Sequence, residues 1–238
     1  MYKNCFVAFI DIMGFSKFVK SGTSDEVYKL LSAFVRRPNE TISVSPINTR
    51  ISVFSDSVII SVPIETTDKY AVRDLFSNFL NYINVLQWIY LTHTDFEPLP
   101  VRGGIAKGNF FTDEKTMLFG EALVHAYETE SKLACYPRIV VSADIDYNEL
   151  EEVNTRQQIL RKDFDGLLHC NYLRTLLNFD INKQSVYICN VLKNHRNYIV
   201  KNLHGSMDNP VLYGKYHWIK TYHNWFCEGY DMFSEYLI

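Results

Sequence analysis

Apolar positions in this chain follow two rhythms, and the switches between them set out the expected elements. Cys5, Phe6, Val7, Ala8, Phe9 and Ile10 form an unbroken apolar run, which predicts a strand covered on both faces. The run ends in Asp11, and Gly14-Phe15-Ser16 turns the chain into a helix. Thr23-Ser24-Asp25-Glu26 offers caps for a second helix through Tyr28, Leu31 and Phe34, with Pro38 as its expected stop. Ile47 to Phe54 and Val58 to Val62 predict two strands of a hairpin turned at Ser55-Asp56-Ser57, where short polar side chains bond the neighbouring backbone. From Asp68 onward, Val72, Leu75, Phe76, Phe79, Leu80, Ile83, Leu86 and Ile89 or Tyr90 recur at spacings of three and four, the stripe of a long packing helix.

Pro100 to Phe111 predicts a strand in which Gly103, Gly104 and Gly108 permit a bulge or a close backbone approach. Met117-Leu118-Phe119-Gly120 leads into a helix carrying Ala122, Leu123, Ala126 and Tyr127. Arg138 to Ser142 is a further strand, followed by short helical material around Tyr147 to Val153. Strands interleaved with helices point to an α/β sandwich, a central sheet with helices packed on it. Beyond about Gln157 the pattern weakens, with strands expected at Val186 to Cys189 and around Tyr198 to Leu203. Tyr213 to Tyr236, dense in Trp and Tyr, reads as a helix docking on the domain or on a partner.

Composition narrows the function classes. With 238 residues, 47% of them hydrophobic and 21% charged, the chain has room for one sizeable domain or a domain with an appendage. A net charge of −3 lacks the basic excess of a duplex nucleic-acid binder. Five scattered cysteines without a C-x-x-C pair argue against both a closed disulfide framework and zinc. No leader pattern opens the chain and no apolar stretch approaches the ~20 residues of a membrane span, so a cytoplasmic protein with no membrane partner is expected. The seven histidines are dispersed and read as satisfied or solvated side chains. Tyr216-His217-Trp218 and Trp225-Phe226 offer surfaces for base stacking, with core or interface packing the preferred reading.

The candidate chemistry lies in the two acids at strand ends. Asp11 follows a buried strand, where a carboxylate is costly unless paired or bound to a cation, and Asp56 tips the hairpin. The order of motifs, Phe9-x-Asp11-Ile12-x-Gly14-Phe15-Ser16, then Phe54-Ser55-Asp56-Ser57, then Arg102-Gly103-Gly104-Ile105-x-x-Gly108 before Phe119-Gly120-x-Ala122-Leu123-Val124, resembles the class III nucleotidyl cyclases. More narrowly, it resembles the bacterial pyrimidine cyclases of Pycsar antiphage defence. The resemblance covers roughly residues 5 to 155. It implies a cyclase homology domain over residues 1–155, with a ferredoxin-like, palm-type, mostly antiparallel sheet flanked by helices, and a family-specific elaboration over 156–238 packed on the same domain.

What the resemblance implies for the site is specific. Asp11 and Asp56 become metal-binding aspartates, with the Ile12 carbonyl as a further ligand to two Mg²⁺ or Mn²⁺ ions. Backbone amides of Met13, Gly14, Phe15 and Ser16 are placed to cradle the β- and γ-phosphates of a nucleoside triphosphate. Purine cyclases of this class carry a transition-state Asn and Arg four and eight residues past the glycine, positions held here by Val124 and Glu128. Arg102, Lys107 and Arg50 are then the cations available to replace them, Arg102 as the catalytic candidate. The two base-reading positions fall on Ser52 and Leu118, and Phe54 joins the nucleotide-binding set. A hydroxyl and an apolar side chain replace the lysine and acid that read adenine, which favours a pyrimidine cyclase making cyclic UMP, or cyclic CMP, and pyrophosphate. The resemblance further implies a homodimer with sites at the subunit interface and a separate cyclic-nucleotide-binding effector. A purine cyclase and a catalytically silent nucleotide-sensing module are the alternatives.

Overall fold

The structure, a computed structural model, describes residues 1–41, 48–92, 98–113, 117–146, 158–178 and 181–238. Strand β1 (Lys3–Ile12) lies in the middle of the sheet, with β3 (Ser57–Pro63) on one side and β4 (Val101–Thr112) on the other. Beyond β3 lies β2 (Arg50–Phe54), and beyond β4 lie β6 (Ile139–Val141), β8 (Leu168–Cys170) and β7 (Leu160–Lys162). Strand β5 (Leu118–Phe119) pairs only with the far end of β4. The sheet is mostly antiparallel, as expected, with β4–β6 the one parallel pair among the described residues.

Residue parity explains why β1 is apolar throughout. Phe6, Ala8, Ile10 and Ile12 enter the core beneath α2 (Ser24–Thr41) and α3 (Lys69–Thr92), where Phe6 meets Phe76 and Phe79 at ring separations of 4.6 and 6.3 Å. Cys5 and Val7 turn to the other face, under α4 (Glu121–Leu133) with Ala122 and Ala126, and Phe9 packs alongside. Both faces are therefore covered, and alternation gives way to a continuous run.

The glycines of β4 act by close approach. Pairing of β1 with β4 keeps one register from Lys3↔Phe110 to Ile12↔Val101, so no bulge interrupts it. A Cβ on Gly104 would stand 2.7 Å from the Thr129 Cβ and 2.8 Å from the Glu130 amide, so only a glycine lets α4 lie this close to the strand.

Elsewhere the structure corrects the expectations. Helix α2 continues through Pro38 to Thr41; a single proline removes one backbone bond near the helix end without stopping the helix. The strand segments expected at Val186 to Cys189 and Tyr198 to Leu203 both lie within α5 (Ile181–His204). Its buried residues Ile188, Val191, Leu192, His195, Tyr198 and Ile199 recur at helical spacing, and that stripe outweighs the local β preference of Val, Ile and Tyr. Strands β7 and β8 were not expected; three residues each are too short to show a period. Tyr213 to Tyr236 is helical through α6 (Pro210–Glu228), followed by a 3-10 helix, Asp231–Tyr236. The helical expectation for Tyr147 to Val153, and the Ile47 start of β2, fall outside the described residues.

A second core joins the C-terminal elements to the outer half of α3. Val85, Trp88, Ile89 and Leu91 of α3 pack with Tyr172 and Leu176 from the 3-10 helix Tyr172–Asn178, and with Ile188, Leu192, Trp218 and Phe226 from α5 and α6. Arg138, buried at the start of β6, bridges the same two regions by pairing with Asp163 and Asp165, while Trp218 Nε1 donates to Asp163 Oδ2 at 2.7 Å. Because β8 pairs with β6, the chain beyond residue 156 extends the same sheet.

Candidate functional site

Asp11 stands one residue from the end of β1, opposite Ser57 of β3 and Arg102 of β4. By parity its side chain belongs to the α4 face, after Cys5, Val7 and Phe9. The hairpin turn is tight, with Phe54 paired to Ser57 and Ser55 held at a left-handed φ of 56°. Asp56 in this turn is fastened to β1, because the Ile12 amide donates to the Asp56 carbonyl at 3.0 Å. One backbone bond thus brings residues distant in sequence to the same end of adjacent strands.

Arg102 is pinned between two acids. Its Nε donates to Asp11 Oδ2 at 3.1 Å. Glu130 Oε1 lies 2.8 Å from the same nitrogen but off the N–H direction, so that contact is an ion pair without a hydrogen bond. Glu130 is 3% exposed, and its carboxyl is pushed above the ordinary 4.5 by burial, with Arg102 opposing and Asp11 adding to the rise. Sequence reasoning missed Glu130. The signal was present in the spacing of four from Ala122 to Ala126 to Glu130, which places all three on the sheet-facing stripe of α4.

Neither Asp11 Oδ1 nor the Asp56 carboxylate has a hydrogen bond or ion pair among the described residues. Asp11 and Asp56, brought to one end of adjacent strands by that backbone bond, carry the hard oxygens that a divalent ion such as Mg²⁺ or Mn²⁺ takes. No group of three or more His, Cys, Asp or Glu suited to a metal occurs among the described residues, so water and substrate oxygens would complete such a shell.

The remaining candidates divide by position. Gly14, at φ 82°, opens α1 (Phe15–Ser21), and the amides of Gly14, Phe15 and Ser16 have no backbone partner among the described residues. The Met13 amide is already engaged, donating to the Pro100 carbonyl at 2.9 Å, which removes it from a phosphate cradle. Arg50, Ser52 and Phe54 align across β3 with Val7, Phe9 and Asp11, so they share the face of Asp11. Lys107 does not: it pairs with Phe6 and lies over that ring at 5.7 Å, on the α3 face. Five residues separate it from Arg102, and an odd separation along a strand reverses the face. Leu118 pairs with Thr112, at the opposite end of β4 from Arg102. Val124 is 54% exposed, and Glu128, also exposed, is tied to Lys132 at 2.9 Å on the outward side of α4.

Comparison with solved structures finds the same fold. The dimeric guanylyl cyclase domain of the RhoGC fusion protein from the aquatic fungus Blastocladiella emersonii aligns at a TM-score of 0.50 and 13% identity, over 71% of this chain and 93% of that one. The guanylate cyclase domain of RhGC from Catenaria anguillulae, in complex with GTP, aligns at 0.50 and 14% over 71% and 94%. The fold is that of class III cyclase domains. No protein-family model matches the chain, and no curated protein matches it. The cyclase-like fold places Asp11 and Asp56 side by side at the end of its central strands, and Arg102 and Glu130 beneath α4. Among the described residues no helix is long and apolar enough to cross a membrane.

Proposed function

We propose that this protein is a metal-dependent nucleotidyl cyclase that converts a pyrimidine nucleoside triphosphate, UTP ahead of CTP, to the 3′,5′-cyclic monophosphate and pyrophosphate. The observation that carries the reading is the Ile12–Asp56 backbone bond, which sets Asp56 beside Asp11 while both keep open carboxylate oxygens. Asp11, Asp56 and the Ile12 carbonyl would hold two divalent ions, Mg²⁺ or Mn²⁺, whose chemistry is to acidify the ribose 3′-hydroxyl and neutralise the triphosphate. Arg102 grips Asp11 Oδ2 and leaves Oδ1 without a partner among the described residues. The Gly14, Phe15 and Ser16 amides supply donors for phosphate oxygens. Since Arg102 is committed to two acids and Lys107 lies on the other face, Arg50 is the remaining proposed cation. It lies on the Asp11 face with no ion pair among the described residues.

The pyrimidine preference rests on Ser52 and Leu118 standing where a purine-reading lysine and acid are expected. Leu118 and Asp11 are separated by the length of β4 within one protomer. A head-to-tail homodimer closes that gap by setting the β4–β5 hairpin of one copy over the Asp11 end of the other. In the finer form of this proposal, the cyclic nucleotide is a cytoplasmic antiphage signal received by a separate effector.

The second reading, a nucleotide-sensing module without turnover, is favoured by one observation: Val124 and Glu128 supply no cation for the transition state. Incubating the purified protein with each of ATP, GTP, UTP and CTP and Mn²⁺, and resolving products by chromatography, separates the readings. Cyclic UMP or cyclic CMP formation is the expected result. A purine cyclic nucleotide alone transfers the assignment to a purine cyclase, and tight nucleotide binding without product supports the silent module.

A further inference from the structure

A single N–H on Arg102 faces two carboxylates. It donates to Asp11 Oδ2 at 3.1 Å, while Glu130 Oε1, 2.8 Å from the same nitrogen, receives no hydrogen bond among the described residues. The Nε of a guanidinium carries one hydrogen, so it bonds one of these acids well at a time. A buried carboxylate oxygen left without a donor is costly, and here that oxygen belongs to Glu130.

Depth separates the two acids. The side chains of Asp11 and Arg102 are 23% and 29% exposed, whereas that of Glu130 is 4% exposed, so a cation arriving from solvent has access to Asp11 and not to Glu130. The backbones are fixed as well. Arg102 is paired with Asp11 by the β1–β4 register, and Glu130 is held against β4 where a Cβ on Gly104 would stand 2.8 Å from its amide. What remains adjustable is the Arg102 guanidinium. Because both acceptors already lie close to its Nε, reorienting the N–H is enough to pass the hydrogen bond from Asp11 to Glu130.

We propose that Arg102 is exchanged between the two acids when a divalent ion binds, and that Glu130 is the positioning residue that draws the guanidinium off Asp11 and frees Oδ2 for the metal. This rests on the reading of Asp11 as a metal-binding residue. Without the metal, Asp11 holds the N–H and Glu130 goes without it; with the metal on Asp11, the same N–H satisfies Glu130. A divalent charge at Asp11 also repels the guanidinium, which drives the exchange in the same direction. Glu130 therefore raises metal affinity without being a ligand, by giving the competing cation a second place to go.

The test is Mn²⁺ titration of the full chain without nucleotide, with free Mn²⁺ read by electron paramagnetic resonance, on wild type, Asp11→Asn, Glu130→Gln, Arg102→Gln and the Arg102→Gln/Glu130→Gln double variant. Asp11→Asn should abolish the binding. Glu130→Gln should weaken it about tenfold, because Arg102 then stays on Asp11, and the same change in the Arg102→Gln background should alter it by less than about twofold. Equal weakening in both backgrounds overturns the exchange, since Glu130 then acts through its own charge, and so does a Glu130→Gln variant that binds as wild type. Absent Mn²⁺ binding, or binding that Asp11→Asn leaves unchanged, instead removes the metal reading and the exchange with it. Should Arg102→Gln fail to fold, the Arg102 Nε–H resonance, assigned by its loss in Arg102→Lys, decides. Saturating Mg²⁺ should shift it in wild type while it stays protected from solvent exchange, and should expose it to solvent in Glu130→Gln. A resonance that Mg²⁺ leaves unmoved in wild type overturns the proposal.

Discussion

The backbone of Gly104 and the side chain of Thr129 stand so close that a Cβ on Gly104 would lie 2.7 Å from that of Thr129. The strand and helix in contact here are the two that deliver Arg102 and Glu130. Gly104→Ala should therefore push α4 away from β4. The expected cost is about 1–3 kcal/mol or more, read as a lower denaturation midpoint. Gly214→Ala is a suitable control, since a Cβ there meets nothing within 4 Å.

Turnover should depend on both strand-end acids. Asp11→Asn and Asp56→Asn each keep the side-chain shape and remove the charge, and each should lower kcat by about 100-fold or more, the scale of losing one electrostatic stabiliser. Full activity in either variant would remove that residue from the metal set.

Glu130 gives a prediction with a defined sign. Its folded pKa lies above the unfolded 4.5, mainly through burial, so the native state holds the proton longer than the unfolded chain. That contribution to stability is complete below 4.5 and fades as pH rises through the folded pKa. Glu130→Gln removes this loss, so the stability of the variant relative to wild type should rise between pH 4 and pH 7. A difference that stays flat over that range would show that Arg102 offsets the cost of burial.

The C-terminal core should be acid-sensitive. The Tyr172 hydroxyl lies 3.3 Å from His195 Nε2, His195 Nδ1 lies 2.9 Å from His223 Nδ1, and His223 Nε2 lies 2.9 Å from the Tyr236 carbonyl. A carbonyl only accepts, so His223 must donate from Nε2, His195 from Nδ1 and Tyr172 from its hydroxyl, leaving both imidazoles neutral. Burial holds His195 and His223 below 6.5 and pushes His169 down to about 4. The unfolded chain takes up these protons first, so stability should fall as pH drops below 6.5. Each histidine contributes about 1.4 kcal/mol per pH unit. Melting curves from pH 7.5 to 5 check this, and His169→Gln should flatten the slope.

Arg138→Ala should be among the most damaging single changes. It strands Asp163 and Asp165, whose carboxyls are held below the ordinary 3.8 by hydrogen bonds and by this arginine, against burial. A loss of about 3–5 kcal/mol is expected, measured by urea unfolding.

The central strand, the hairpin acid, the long helix and the helix carrying Ala122 and Ala126 were legible in the sequence, because each rests on a local period or a turn. Arg102 and Lys107 were both candidate cations in the sequence, and strand parity sets them on opposite faces. The spacing of Glu130 from Ala122 and Ala126 marks it as sheet-facing, but its meaning comes from Arg102 and Asp11, brought to it by the sheet register. The misread segments of α5 show the converse, in which the helical stripe is visible only over a window longer than either apolar stretch.

By itself, then, the sequence determined the period of its elements and the placing of Asp11 and Asp56 at strand ends, since both are properties of short chain segments. Tertiary structure alone decided that Ile12 would bond Asp56, that Arg102 would be pinned by Asp11 and Glu130, and that Arg138 would join the two cores. Those pairings depend on register and helix packing, which are set by burial of apolar faces drawn from the whole chain.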